Sequence, residues 1–267
     1  TIREKKNLLE EIELNKKIFL CSFVFIPSKE ELIIVFHDIT EFKRLEKIKR
    51  DFVVNVSHEL RTPLTAIKGY VETLEEEVEG EAKRYLEIIK KHTERLINIV
   101  QDLLLLSELE EKGLSEARED VDLKDMVEDV FKIFKQKAEE KNLKLSLVSE
   151  NKPVVRGDPF KLEQMFINLI DNAIKYTEKG EVLVSLKRAD KGVVVEVKDT
   201  GVGIPAEHLD RIFERFYVVD KSHSRKLGGT GLGLSIVKHI VLLHNGKIDV
   251  ESKLGKGAKF TIVLPGI

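Results

Sequence analysis

Four polar residues in the second half of the chain have a spacing that suits the binding of a charged ligand. Asn168, Asn172, Lys175 and Tyr176 stand at positions i, i+4, i+7 and i+8 of a predicted helix, so they occupy one face. Amide oxygens can bind a hard cation, and a lysine can neutralise phosphate. The stripe therefore indicates a site for a metal-bound polyphosphate, with a solvent-facing polar stripe as the alternative.

An acidic residue before a glycine-rich turn is a second candidate. Asp199 ends a predicted strand and is followed by Gly201 and Gly203. Here a carboxylate can accept a hydrogen bond from the amino group of a base, while the glycines let backbone approach the ligand. The same residues fit a dinucleotide-binding turn. However, the chain lacks the strand–helix–strand repeats of that parallel sheet and ends in a predicted hairpin.

A further glycine-rich segment lies at the start of a predicted helix. Gly229, Gly231 and Gly233 can expose backbone N–H groups to an anion at this position. No Gly-Lys-Ser/Thr follows, so the segment is not a P-loop. Residues 206–227, between the two glycine segments, are charged and loop-like, which indicates a lid.

A histidine near the middle of a long predicted helix could act as a nucleophile. The apolar seam of this helix predicts that Ser57 faces inward and His58 outward. Glu59 could hold the imidazole in one tautomer or accept its proton, and Thr62 lies one turn away on the same face. Pro63 should bend the helix beside His58. The alternative is an ordinary histidine on a solvated helix face.

The elements that must position these residues begin with a helical hairpin around Gly80. Two apolar seams with alternating steps of three and four residues predict its helices. One hairpin buries little apolar surface, so the expected arrangement is a dimeric four-helix bundle. The first seam contains Leu60, Leu64, Ile67, Val71, Leu74 and Val78, and the second contains Ala82, Tyr85, Ile89, His92, Leu96, Ile99, Leu103 and Leu106.

The C-terminal part predicts an α/β sandwich with helices on one face of a mixed sheet. Its last two strands are joined too tightly for a parallel crossover, so they should pair antiparallel. At the other end of the chain, residues 17–39 predict two strands around a turn at Pro27 to Lys29. The predicted helices of the sandwich cover 123–141, 159–176 and 232–243, and its predicted strands cover 143–149, 181–187, 193–198, 247–251 and 259–264.

Composition excludes several classes of protein. The 267 residues include 45 Lys and Arg against 47 Asp and Glu, so the charge balance does not indicate a nucleic-acid partner. The longest run of large apolar residues, Leu32 to Phe36, is far shorter than the ~18 that a membrane span needs. Cys21 is the single cysteine, and no signal peptide is recognisable, so we expect a reducing cytoplasm.

Five motifs in this order resemble the H, N, G1, F and G2 boxes of sensor histidine kinases of two-component systems. They are SHELRTPL, NLIDNAIKY, DTGVGIP, FERFY and GGTGLGL. The segment from His37 to Glu41 also resembles the end of a PAS sensor domain, whose remainder would lie outside this sequence. The resemblance implies a PAS-like remnant of two strands at 1–40, a dimerisation and histidine-phosphotransfer hairpin at 41–118, and a catalytic ATP-binding domain at 119–267.

The resemblance also implies a role for each motif residue. His58 would be the phosphoacceptor, Glu59 its acid/base partner, and Thr62 the residue that positions water when the protein acts as a phosphatase. Many relatives have an arginine where this chain has Val218, so another basic residue would contact the γ-phosphate. The nucleotide contacts implied are Asn168 and Asn172 for Mg²⁺ and phosphate, Lys175 and Tyr176 for phosphate, Asp199 for adenine, Gly201, Gly203, Ile204, Gly229, Thr230, Gly231, Leu232 and Gly233 around the base and the lid, and Arg215, Lys221 or Arg225 for the γ-phosphate.

The function implied is ATP-dependent autophosphorylation of His58, followed by transfer to an aspartate of a response regulator, together with phosphatase activity toward that regulator. The implied partners are a second copy of the chain and a receiver domain, with membrane attachment only through segments outside this sequence. Because Val218 stands where many relatives have an arginine, the alternative function is that of a coupling protein that binds nucleotide but transfers no phosphoryl group. An ATPase clamp like the type II topoisomerases fits less well, because Asn168 stands where those enzymes have a glutamate base.

Overall fold

The computed structural model describes residues 8–26, 31–112, 118–149, 152–189, 192–220 and 229–266. The chain divides into two compact units, Thr1–His58 and Glu59–Ile267. The boundaries predicted at 40/41 and 118/119 do not coincide with this division and stay predictions. The turn predicted at Pro27 to Lys29 lies outside the described residues.

The first unit contains a three-stranded antiparallel sheet in the order β1-β2-β3. Its strands are β1 (Leu8–Leu14), β2 (Lys17–Ile26) and β3 (Glu31–Asp38). The two strands predicted in residues 17–39 are present as β2 and β3, and β1 is a third strand that was not predicted. Three glutamates give β1 a weak strand signal. Its turn to β2 uses positive φ angles at Asn15 (51°) and Lys16 (63°), and lysine is not a typical residue for that conformation.

Two long helices follow, α1 (Thr40–Glu77) and α2 (Glu81–Lys112). Helix α1 continues through Pro63, and Gly80 takes a φ of 69° in the turn between the helices. Within the second unit, the Nζ of Lys90 lies 2.7 Å from Glu75 Oε2, so an ion pair links α2 to α1. The predicted helical hairpin is thus present.

Only part of each predicted seam is covered within one chain. Leu64 and Val71 are buried on α1, as predicted, and Val100 and Leu104 are buried on α2, outside the predicted seam. Leu106 of the second seam is also buried, in the core of the sandwich. Most other seam positions stay exposed because the hairpin contact uses only alternate members of the first stripe. The exposed seam residues are Leu60, Ile67, Leu74, Ala82, Tyr85, Ile89, His92 and Leu96.

The second unit also contains the predicted α/β sandwich. Its five-stranded sheet has the order β5-β7-β8-β10-β9, with β5 parallel to β7 and the other neighbours antiparallel, so the predicted mixed sheet and final hairpin are confirmed. A separate two-stranded sheet, β4 with β6, was not predicted because each strand has only four residues. The strands are β4 (Glu119–Asp122), β5 (Leu143–Ser149), β6 (Val154–Gly157), β7 (Gly180–Ala189), β8 (Gly192–Asp199), β9 (Lys247–Ser252) and β10 (Ala258–Pro265).

Three helices pack on this sheet, namely α3 (Leu123–Glu140), α4 (Pro159–Tyr176) and α5 (Gly233–Leu243). Helix α4 is central, because it contacts both α3 and α5. The Asp158 side chain caps its first turn by accepting a hydrogen bond from Lys161 N. Leu106 and Leu109 of α2 belong to the same buried core, so the end of the hairpin is packed into the sandwich. The described residues include no helix that is both long and apolar enough to cross a bilayer.

A buried histidine links α5 to the start of α4. His244 Nε2 lies 3.0 Å from Asp158 N, and His244 Nδ1 lies 2.8 Å from the Ile240 carbonyl oxygen. Only the neutral tautomer with hydrogen on Nδ1 can accept the first bond and donate the second. Burial lowers the pKa of His244 below its usual range.

We predict that this histidine makes the stability of the sandwich sensitive to acid. Folding lowers the pKa of His244, so neutral His244 contributes to the free energy of unfolding at pH values above its usual pKa of about 6.5. This contribution is lost as the pH falls below that value, because the unfolded chain then binds a proton more readily than the folded one. Denaturant unfolding between pH 7.5 and 5.5 should show this loss in the wild type and less of it in His244→Gln. Equal slopes in the wild type and in His244→Gln would contradict the prediction.

Candidate nucleotide site

A cavity of about 540 Å³ in the second unit brings most of the predicted nucleotide residues together. Helix α4, the turn after β8 and the turn before α5 form its walls, and α2 adds a further side. A cavity of this size can hold most of a nucleotide. The predicted residues that line it are Asn168, Asn172, Lys175, Tyr176, Asp199, Gly203, Ile204, Gly229, Thr230, Gly231 and Gly233.

Asp199 is the buried acid of this cavity, with 6% of its surface exposed. Its Oδ1 accepts hydrogen bonds from Gly201 N at 2.8 Å and Ala258 N at 3.2 Å. Burial raises the pKa of Asp199, and these two hydrogen bonds oppose that effect. Because both bonds go to Oδ1, Oδ2 is the oxygen available to a ligand that carries a hydrogen-bond donor.

Close packing explains the glycines after Asp199. A Cβ at Gly201 would overlap the carbonyl of Tyr176, and Gly203 has a φ of 72° and lies against the carbonyl of Lys253. Gly201 and Leu232 do not line the cavity, in contrast to the prediction. Gly201 instead supports Asp199, and Leu232 is fully buried in the core beneath the glycine segment.

On the polar face of α4, the ammonium of Lys175 is held in place by an ion pair. Lys175 Nζ lies 2.5 Å from Asp171 Oδ2, and Lys137 Nζ of α3 lies 2.5 Å from Asp171 Oδ1. Burial raises the pKa of Asp171, but Lys175 and Lys137 outweigh this and hold the pKa below its usual range. Asp171 thus keeps the ammonium of Lys175 at the cavity wall, and Lys137 balances the charge of the carboxylate.

The two amides of α4 leave hydrogen-bonding capacity for a ligand. Asn168 Nδ2 is buried and has no hydrogen-bond partner in the described structure. Such a group costs about 1–3 kcal/mol unless something else satisfies it. The described residues contain no group of three or more His, Cys, Asp or Glu side chains able to hold a metal, so a cation here would need oxygens from a ligand such as phosphate.

The segment after the first glycine turn contributes aromatic and apolar side chains. Tyr217 lines the cavity, and its hydroxyl lies 2.6 Å from His208 Nδ1. Val218 also lines the cavity. Arg215 does not line the described cavity, and its guanidinium pairs with Glu110 of α2, so its contact with a nucleotide stays a prediction. Lys221 and Arg225 lie outside the described residues.

Helix α2 supplies cavity residues that the sequence analysis missed. Asn98, Gln101 and Asp102 line one side of the cavity, and Thr230 Oγ1 donates a hydrogen bond to Asp102 Oδ2 at 2.7 Å. A polar face on a long helix normally indicates solvent. The one signal available was that three polar residues interrupt an otherwise leucine-rich end of the helix.

The predicted nucleophile lies on α1, where Ser57 is buried and His58 is exposed, as the seam predicted. Glu59 and Thr62 are exposed as well. The three candidate side chains are therefore accessible to another protein.

Comparisons with known proteins agree with this geometry. Residues 48–112 match the family described as His Kinase A (phospho-acceptor) domain, and this range contains His58. Residues 157–266 match the family described as histidine kinase-, DNA gyrase B- and HSP90-like ATPase, and this range contains most of the cavity.

Individual relatives lead to the same conclusion. The sensor protein SrrB of Staphylococcus aureus is 34% identical over 274 residues, which cover 99% of this chain and 47% of SrrB. The structure of ShkA in complex with AMPPNP has a TM-score of 0.68 and 30% identity, and covers 80% of this chain and 45% of ShkA. The histidine kinase ThkA, in complex with the response regulator protein TrrA, has a TM-score of 0.59 and 26% identity over 99% of this chain and 80% of ThkA.

The chain spans about half the length of the curated relatives it matches. Both family matches fall on the elements that carry the candidate residues, the hairpin and the sandwich. The chain therefore belongs to the sensor histidine kinases of two-component systems.

Proposed function

We propose that this protein transfers the γ-phosphoryl group of ATP to His58 and then to an aspartate of a response regulator. The observation that carries the proposal is the cavity, where a buried acid, two amides and a fixed lysine meet in a chain whose candidate nucleophile is exposed. Membership of the histidine kinase family supports the same reaction.

Recognition of adenine follows from the hydrogen bonds of Asp199. Its Oδ1 is already occupied by two backbone N–H groups, so Oδ2 accepts the hydrogen bond from the 6-amino group of the base. Ile204 and Phe260 also line the cavity and supply apolar surface for the ring. A guanine or hypoxanthine base offers a carbonyl at the same position and cannot donate there.

The phosphates bind on the polar face of α4. Lys175, held by Asp171, neutralises negative charge, and the free Nδ2 of Asn168 can donate to a phosphate oxygen. The amide oxygens of Asn168 and Asn172 fit Mg²⁺ together with phosphate oxygens. Bound there, the ion would neutralise charge that develops during phosphoryl transfer.

In the chemical step, an imidazole nitrogen of His58 attacks the γ-phosphorus. The N–P bond forms, the bond to the β–γ bridging oxygen breaks, and ADP leaves. Glu59 accepts the proton from the other ring nitrogen. The second transfer breaks the N–P bond and forms an acyl phosphate on the aspartate of the regulator. Thr62 positions the water that hydrolyses this acyl phosphate when the protein acts as a phosphatase.

The receiver domain of a response regulator is the proposed partner at His58. The side chains of His58, Glu59 and Thr62 are all exposed, as docking of another protein requires. The ThkA structure contains the response regulator protein TrrA, which supports a partner of this kind.

A second copy of the chain is the proposed partner at the exposed seam. Leu60, Ile67 and Leu74 on α1 and Leu96 on α2 remain exposed in one chain, at heptad-like spacing. Such stripes gain stability when they pack against another pair of helices. We infer a homodimer that contains a four-helix bundle. The cytoplasmic location of the protein and the PAS-like nature of its N-terminal strands stay predictions.

Loss of His58 should remove phosphorylation without affecting the nucleotide cavity. With labelled ATP and Mg²⁺, the wild type should gain an acid-labile, alkali-stable phosphate, and His58→Gln should gain none while binding ATP as the wild type does. His37→Gln, which changes an exposed histidine of β3, is the matched control and should be labelled normally. Label that persists in His58→Gln would refute the assignment.

Asp199→Asn should change the base specificity. The amide oxygen must accept from Gly201 N and Ala258 N, so the amide nitrogen would face the base as a donor. Titrations should show ATP affinity reduced about 10- to 100-fold, the equivalent of one unpaired buried group, and inosine triphosphate affected less. Asp249→Asn, on exposed β9, should have no effect. Parallel losses for both nucleotides would mean that Asp199 does not read the base.

Leu96→Lys should weaken the dimer by placing a charge in the exposed seam of α2. We expect the dimer dissociation constant to rise about 100-fold or more in sedimentation experiments, because burying an unpaired ammonium is costly. Glu87→Lys, an exposed residue of the same helix outside the seam, is the control. Leu103 is unsuitable, because it also packs against the core of the sandwich. A monomeric wild type at micromolar concentration would contradict the proposal.

A further inference from the structure

Helix α2 holds the glycine segment before α5 through two polar contacts. Thr230 Oγ1 donates to Asp102 Oδ2 at 2.7 Å, and Arg95 Nε donates to the Gly229 carbonyl oxygen at 3.2 Å. Thr230 Oγ1 also accepts a hydrogen bond from Leu232 N at 3.2 Å, so one hydroxyl joins α2 to the start of α5. These contacts lie within the second unit.

Asp102 is a partly buried acid beside the proposed phosphate site. It lines the same cavity as Lys175, whose ammonium is paired with Asp171. Burial raises the pKa of Asp102 above its usual range, and the Thr230 hydrogen bond and the charge of Lys175 oppose only part of this effect. The carboxylate therefore uses a hydroxyl donor that borders the proposed phosphate site.

The anchoring of α2 differs along its length. Toward its C-terminal end, Leu106 and Leu109 are buried in the core of the sandwich, and Glu110 pairs with Arg215. Exposing a buried leucine costs about 1.5–3 kcal/mol, so this end should stay in place. Asp102 lies about one turn before Leu106, and Arg95 lies about three turns before it. Their contacts with the glycine segment are polar and can be replaced by water or by a ligand.

We propose that Asp102 is an internal competitor of the nucleotide phosphates. With no nucleotide bound, its carboxylate holds Thr230 and lines the same cavity as Lys175. When ATP binds, the triphosphate repels Asp102 and competes for the same partners, and the part of α2 around Arg95 and Asp102 loosens from the glycine segment. Since coupling is reciprocal, docking of α2 weakens ATP binding by the same factor. This inference rests on the proposed nucleotide function of the cavity.

The charge can be tested separately from the hydrogen bond. Asp102→Asn keeps an oxygen that accepts from Thr230 but removes the negative charge. In titrations of the full chain with ATP, this variant should bind about fivefold or more tightly than the wild type. The gain should be larger without Mg²⁺, because the triphosphate then carries its full charge. Glu108→Gln, which removes an exposed charge from the same helix, should leave the affinity unchanged.

Hydrogen exchange of the backbone amides of α2 gives a second measurement, which reports loosening of the helix and not nucleotide binding alone. Addition of ATP should raise exchange in residues 95–104 of the wild type, and Asp102→Ala should show the raised exchange without ATP. Equal or weaker ATP binding by Asp102→Asn, or no change of exchange in residues 95–104 on ATP addition, would overturn the proposal while the kinase function stands. A wild type that does not bind ATP would overturn both.

Discussion

Asp199 is the last residue of β8, and its carboxylate is almost completely buried. A buried carboxylate needs hydrogen bonds, and the sheet topology provides them. The antiparallel register that pairs Lys259 with Lys198 brings Ala258 beside Asp199, so that Ala258 N donates to Oδ1. Gly201 N is the second donor, and it can approach because glycine has no side chain to meet the Tyr176 carbonyl. One oxygen remains, and in the proposed function it accepts a hydrogen bond from the base.

Helix α4 connects this acid to the phosphate end of the cavity. Its buried face, with Met165, Leu169 and Ile170, fixes the helix against the sheet. Its polar face then has no freedom to turn toward solvent, which places Asn168 and the pair of Lys175 with Asp171 at the cavity wall. Packing of the apolar side thus determines which side chains line the cavity. The end of α2 closes the remaining side, so the hairpin and the sandwich share one core and one cavity.

Local patterns account for what the sequence predicted correctly. Helical periodicity alone predicts that Asn168, Asn172 and Lys175 share one face of a helix. A strand-like run followed by glycines is enough to predict that Asp199 ends a strand. Positions that depend on distant parts of the chain could not be predicted. Asp102 was missed, because it reaches the cavity only through the packing of Leu106 and Leu109 into the sandwich. The pairing of Arg215 with Glu110 of α2 was not foreseen either. Strand β1 was missed because its pairing with β2, and not its own composition, makes it a strand.

In the proposed function, Asp199 reads the base while the polar face of α4 binds the phosphates of the same nucleotide. A crystal structure of the chain with a non-hydrolysable ATP analogue and Mg²⁺ would test both contacts at once. We expect the 6-amino nitrogen of adenine about 3 Å from Asp199 Oδ2, with phosphate oxygens at Lys175 and the metal at the amide oxygens of Asn168 and Asn172. Adenine bound away from Asp199, or phosphates directed away from α4, would contradict it.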